Sequence, residues 1–174
     1  MPLKVRLAFC PATVVVTVAS GPSIVMLSVG SGGTLHKRKA ALPVPVWSSA
    51  LLQLAEAQAR GRCCGVITID ADALGAEHFR AVAADPATPV EGIAPASALH
   101  RTLLLDQPGL DPADAQVQVL AAAARLRARR PDIDTLVLEC TNLPPYAPAL
   151  RRATGLPVLD VVTLLNQRMA SLPG

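Results

Sequence analysis

Cys140 closes an apolar run, Thr135-Leu-Val-Leu-Glu, and opens a polar turn through Thr141 and Asn142 toward a helix. In open parallel sheets, ligands sit outside the carboxyl ends of the strands, so a thiol at a strand end stands where chemistry is done. The amides that begin the next helix favour a thiolate and also hold a substrate carboxylate. Thr141 and Asn142 add a hydroxyl and an amide to the same space. A buried structural cysteine followed by cap residues reads the same spacing equally well. A second polar turn, Ser31-Gly32-Gly33, offers successive backbone amides that can form a nest for an anion. Ser48 and Ser49 are placed to line a cleft, although helix capping accounts for Ser49. Asp70 and Asp72 follow a strand's carboxyl end, where one could touch substrate, but read first as turn and cap residues, and His36 reads as a surface or capping residue. Cys63 and Cys64 lie at the start of a strand, far from its carboxyl end. Trp47 and Tyr146 read as packing rings, and His78 and His100 lack a partner at metal-ligand spacing.

Short β-branched runs alternate with Ala/Leu-rich helical stretches, the pattern of an α/β fold with parallel sheets and flanking helices. Strands are expected at Val14–Val18, Ile24–Val29, Val44–Trp47, Gly65–Ile69, Thr135–Leu138 and Pro157–Leu159. Ser49 caps a helix over Ala50–Arg60 that Gly61 stops. Asp111-Pro112 opens another, which carries Ala115, Val119, Ala122 and Leu126 on one face, ends in arginines and stops at Pro131. Asp85–Pro95, rich in Pro, Asp and Thr, reads as a surface loop. The order strand, polar turn, basic helix, Leu-Pro-Val strand, helix occurs twice, at Ser31–Leu52 and at Cys140–Leu165. That echo favours a duplicated α/β half, giving two pseudo-symmetric lobes whose polar turns face each other across a cleft.

Composition narrows the function classes. The 174 residues are 51% apolar, 2% aromatic and 17% charged, which suits one domain or two small lobes with a sizeable core and argues against disorder. A net charge of +3 and few rings argue against nucleic acid as a partner. The arginines Arg125, Arg127, Arg129 and Arg130, and Lys37, Arg38 and Lys39 far upstream, read as helix-capping and solvated faces. No apolar run reaches the length of a membrane span. Cys10, Cys63, Cys64 and Cys140 form neither a disulfide framework nor a zinc pattern, so a cytoplasmic location is expected. Leu7–Ala19 after Lys4 and Arg6 mimics a signal peptide, but Pro11 interrupts it and Thr13–Val18 reads as a strand.

The block Glu139-Cys-Thr-Asn-Leu-Pro-Pro-Tyr, followed by Thr154-Gly-Leu-Pro-Val-Leu-Asp-Val-Val-Thr-Leu-Leu, resembles the C-terminal signature of the aspartate/glutamate racemase superfamily. Gly65-Val-Ile-Thr-Ile-Asp-Ala-Asp-Ala-Leu with Glu77-His-Phe resembles the opening of that family's second lobe. Pro45-Val-Trp-Ser-Ser-Ala-Leu-Leu-Gln resembles the element joining the lobes, and the likeness covers roughly residues 26–168. The resemblance implies a cofactor-independent, racemase-like enzyme acting on a small carboxylic or amino acid. One cysteine from each lobe would flank the substrate α-carbon, one removing a proton and the other returning one. Cys140 would be the second-lobe cysteine, with Thr141 and Asn142 as carboxylate binders. Ser31 stands at the first-lobe cysteine position, beside Gly32 and Gly33, and a hydroxyl is far less acidic than a thiol. Ser48 is a further candidate for substrate contact. The organisation implied is a partial first lobe over 1–60, a second lobe over 61–160, and a C-terminal helix over 161–174 returning toward the first. Residues Met1–Ser20 do not resemble the family's opening strand and loop, so the first lobe reads as shortened or altered. Two alternatives accompany the racemase reading. One is a single-cysteine decarboxylase of arylmalonate type; the other is a catalytically silent binding or structural protein, stable as a homo-oligomer.

Overall fold

The computed structural model describes residues 5–10, 13–18, 24–26, 46–47, 49–105 and 107–171, and for the residues before Trp47 it gives the backbone course of the strands. Eight strands in two sheets, β1 (Val5–Cys10), β2 (Thr13–Val18), β3 (Ile24–Met26), β4 (Val46–Trp47), β5 (Cys64–Thr68), β6 (Val90–Gly92), β7 (Thr135–Leu138) and β8 (Val158–Leu159), are described. The first sheet runs β1-β2-β3-β4, with β1/β2 and β2/β3 antiparallel and β3/β4 parallel. Chain length explains this mixture. Only Pro11 and Ala12 separate β1 from β2, a hairpin-sized link, whereas parallel neighbours need a crossover of about a dozen residues or more. The stretch Leu7–Ala19 therefore spans parts of two strands, of which only the second was expected.

The second sheet, β6-β5-β7-β8, is parallel throughout, with Val66 registered against both Val90 and Val137, and Leu136 against Val158. Its central strands are apolar on both faces, as a strand covered by helices on each side must be. Alternation divides the strand side chains between two cores. Ile67, Ile69, Leu136 and Leu138 meet Ala115, Val119, Ala122 and Leu126 of α4 (Pro112–Arg129) and Leu150 of α5 (Ala147–Thr154). On the other face, Cys64, Val66 and Val137 meet Leu51, Leu54 and Ala57 of α1 (Leu51–Ala59) and Phe79 of α2 (Ala76–Ala81).

Local signals account for the helix ends. The Ser49 hydroxyl accepts from the Leu51 N–H at 3.1 Å. Gly61, at φ +79°, donates to Gln58 O while Arg62 donates to Ala57 O, the paired bonds that close a helix through a left-handed residue. The Asp111 carboxylate accepts from the Ala113 N–H at 2.9 Å and Pro112 occupies the first turn of α4. The helix α6 (Val161–Ala170) opens on a reciprocal cap: the Thr163 N–H donates to Asp160 at 2.7 Å, and the Asp160 N–H to the Thr163 hydroxyl at 2.8 Å. It lies beside α1, joined through Gln53–Thr163, Gln53–Gln167 and the Glu56–Arg168 ion pair.

The segment expected as a surface loop, Asp85–Pro95, instead carries the edge strand β6. Its Glu91 carboxylate is buried, receives Arg125 at 2.6 Å and also pairs with Arg129; the two guanidinia reach the Gly92 and Val90 carbonyls as well. These arginines thus cover a strand edge, a more specific task than the solvated face expected for them. α3 (Ala98–Leu105) follows β6 and adds Leu99 to the core shared with α4.

Candidate functional site

All four strands of the second sheet are parallel, so their carboxyl ends share one edge. From β5 the chain proceeds through α2 to its neighbour β6, and from β7 through α5 to β8 on the other side. The crossovers diverge between β5 and β7, which makes that gap the topological switch point, where open α/β sheets bind ligands. Two loops flank it, one from Ile69 through Ala73 and one from Glu139 through Leu143.

Cys140 is the second residue of the latter loop, in line with Leu136 and Leu138, and packs against the core under α4 and α5. It is partly buried, and burial pushes its thiol up to about 11, with the neighbouring Glu139 charge acting in the same direction. The backbone N–H and side-chain amide of Asn142 oppose the rise. The expectation that amides after the strand favour a thiolate has the right sign, but desolvation outweighs it. Near neutral pH the sulfur therefore rests as a thiol, a proton donor. Thr141 is partly buried and Asn142 exposed, and the Leu143 N–H closes the turn on Cys140 O at 3.1 Å. Pro144–Tyr146 forms a 3₁₀ turn before α5, with Tyr146 packed in the core as a structural ring.

Glu139 projects to the opposite face, where the Thr68 hydroxyl of β5 donates to its carboxylate at 3.0 Å. The Glu139 N–H donates to Ile67 O at 3.0 Å, so backbone and side chain both tie this strand end to β5. Burial raises the carboxyl above the usual carboxylate range, against the Thr68 bond and the charge of His78 on α2, which both lower it. Sequence reasoning assigned no role to Thr68, Glu139 or His78. Only the position of Glu139 beside Cys140 hinted at this cluster. Asp70 accepts from the Asp72 and Ala73 N–H groups, the turn role expected of it.

Cys140, Thr141 and Asn142 thus come together at the switch point. Ser31, Gly32, Gly33, Ser48 and His36 lie outside the described residues, as does the first polar turn of the internal echo. Cys63 and Cys64 sit at the opposite edge, where the Cys63 thiol donates to Asp132 at 3.1 Å and Cys64 is buried, its thiol raised to about 11. Among the described residues no His, Cys, Asp and Glu side chains group as metal ligands, and no helix is long and apolar enough to cross a membrane.

Comparison with known proteins agrees with this architecture. By structure the chain is similar to allantoin racemase from Pseudomonas fluorescens, with a TM-score of 0.51 and 21% identity over 75% of this chain and 53% of that one. It is likewise similar to arylmalonate decarboxylase, with a TM-score of 0.52 and 18% identity over 78% of this chain and 61% of that one. Both likenesses concern the fold. Shorter sequence matches join it to dimethylsulfoniopropionate lyase 5 of Emiliania huxleyi (strain CCMP1516), 52% identical over 48 residues, which are 28% of this chain and 10% of that protein. A dimethylsulfoniopropionate lyase of Durusdinium sp. clade D is 43% identical over 44 residues, 25% of this chain and 15% of that protein. The match therefore spans a tenth to about a seventh of these lyases. The model of the family Asp/Glu/Hydantoin racemase matches residues 31–169, most of the chain, and the chain belongs to that family.

Proposed function

We propose that the chain acts on a small carboxylic or amino acid by proton transfer at its α-carbon, with Cys140 as the group that delivers or accepts the proton and no cofactor as electron sink. The observation that carries this reading is a partly buried thiol at the switch point, next to the Thr141 hydroxyl and the exposed Asn142 amide. Without an electron sink, charge that develops on the substrate carboxylate must be stabilised by donors at the site. Thr141 and Asn142 supply them on the second-lobe side, and the Ser31-Gly32-Gly33 turn would supply them from the first. Racemisation needs a base on one face of the carbon and an acid on the other. Cys140 would be one of these, and Ser31 would face it.

A single-thiol reaction of arylmalonate-decarboxylase type is the second reading, and the serine at position 31 favours it. There the thiol only protonates a carbanion left by departing carbon dioxide, a task that suits a sulfur protonated at rest. The lyases with local similarity are named for another small carboxylate, consistent with the same substrate class.

The test is incubation in deuterium oxide with L-aspartate, L-glutamate, allantoin, phenylmalonate and dimethylsulfoniopropionate, followed by mass spectrometry and carbon dioxide detection. Deuterium at the α-carbon of recovered substrate supports racemisation. Carbon dioxide release with deuterium in the product supports the single-thiol reading. Binding of these acids without any exchange would overturn both and leave a silent binding protein.

A further inference from the structure

The partly buried cluster of Thr68, Glu139 and His78 behind Cys140 is not used by the chemistry just described. Glu139 is the residue directly before the thiol, yet strand alternation sends its carboxyl to the other face of the sheet, where the Thr68 hydroxyl is its hydrogen-bond donor. A carboxyl partly buried at the end of a central strand costs stability that an apolar residue there would not, which calls for a role. Two features indicate one. The Thr68–Glu139 bond joins β5 to β7 across the gap that forms the switch point, between residues 71 apart in sequence. The carboxyl also places an ionisable charge one residue from the sulfur.

We propose that Glu139, clamped by Thr68, is a positioning residue that fixes the β7 end carrying Cys140 and, through its charge, sets how readily the thiol ionises. This deepens the proposed function and rests on Cys140 being the working thiol. A carboxylate beside a thiolate is a like-charge pair, so the site holds one negative charge more readily than two. With Glu139 ionised the sulfur keeps its proton and serves as a donor. With Glu139 neutral the thiolate forms more easily and serves as a base.

Apart from His78, the charged groups on the neighbouring elements are otherwise engaged. On α2, His78 is the group whose charge reaches Glu139, and its Nδ1 lies 3.2 Å from Gly75 O. Beyond β5, Asp70 caps its own turn; beyond β8, Asp160 caps α6; on α1, Glu56 pairs with Arg168 of α6.

The experiment reads Cys140 directly, by site-resolved mass spectrometry of iodoacetamide alkylation between about pH 7 and 10. The rising limb of the profile is the readout, because intrinsic nucleophilicity falls as a thiol becomes more acidic and distorts plateau rates. Glu139→Gln keeps the length and the bond from Thr68 but removes the charge. It should move the rising limb to lower pH by about half to one unit, as removal of a like charge from the adjacent residue of a partly buried site does. The double variant Thr68→Val with Glu139→Met replaces both partners by apolar groups of similar shape, which protein interiors tolerate, and should shift the limb the same way. A limb unmoved or moved upward in either variant, with thermal unfolding still cooperative, would overturn the proposal. Alkylation needs no turnover, so absence of α-proton exchange would count against the proposed function and leave this test intact.

Discussion

Gly65→Ala adds one methyl group where β5 packs against Leu126 of α4 and Ile133 beyond its end. A Cβ at this position would lie 2.6 Å from Ile133 Cδ1 and 2.8 Å from Leu126 Cδ2, about 1 Å inside ordinary carbon–carbon contact. Leu126 is fully enclosed and Ile133 is 3% exposed, so neither methyl can swing into solvent. Overpacking of this kind costs about 1–3 kcal/mol. Replacing a strand glycine by alanine returns about 0.5–1 kcal/mol through the lower entropy of the unfolded chain. Taking the middle of each range, the net loss is about 1 kcal/mol, and for a chain of this size the melting temperature should fall by roughly 2–4 °C. Ile133→Val removes the Cδ1 atom in closest conflict and alone costs about 0.5–1.5 kcal/mol. Denaturant unfolding of native protein, both single variants and the double variant closes a mutant cycle. The double variant should be more stable than the sum of the singles predicts, by about 0.5 kcal/mol or more. Strict additivity, or a Gly65→Ala protein as stable as the native one, would refute the packing argument.

Asp160→Ala removes the reciprocal cap of α6 and should cost about 1–2 kcal/mol in chemical unfolding, with faster amide exchange in the first turn of α6 than elsewhere. The Arg151 contact at 3.8 Å adds little, since that guanidinium is half exposed. The raised thiols set an alkaline limit. In the folded state Cys64 and Cys140 hold their protons up to about 11, against 9.0 ordinarily, so their contribution to stability is complete below pH 9 and is lost as pH rises toward 11. Urea midpoints should fall across that window, and Cys140→Ala should flatten part of the fall; a flat or rising profile in the native protein would contradict the burial of both sulfurs.

Legibility followed range. The helix α4 was readable because Asp111, Pro112, the apolar face and the terminal arginines act within a turn or two of one another. β5 and β7 were readable because a strand buried on both faces writes a continuous apolar run. Cys140 was placed correctly at a strand end for the same reason. The edge strand β6 was hidden, because three residues following Pro89 carry no periodicity and Glu91 is buried only through Arg125 and Arg129, remote in sequence. Thr68 and Glu139 were missed likewise, their bond being created by the β5/β7 pairing. The protonation balance of Cys140 is not legible in the sequence, since the amides that favour its thiolate are local whereas the burial that favours its thiol is tertiary. The antiparallel start of the first sheet follows from a two-residue link, a constraint visible in the sequence once β1 is recognised.

In the proposed function Cys140 is the group that moves the proton. The direct measurement compares native protein and Cys140→Ser on any acid from the panel that the native protein converts, with folding of both checked by circular dichroism. A serine hydroxyl is too weak an acid to replace the thiol, and general acid–base catalysis contributes typically 10²–10⁴-fold. Turnover of Cys140→Ser should fall by roughly that factor with the substrate still bound. Full turnover in Cys140→Ser would contradict that role.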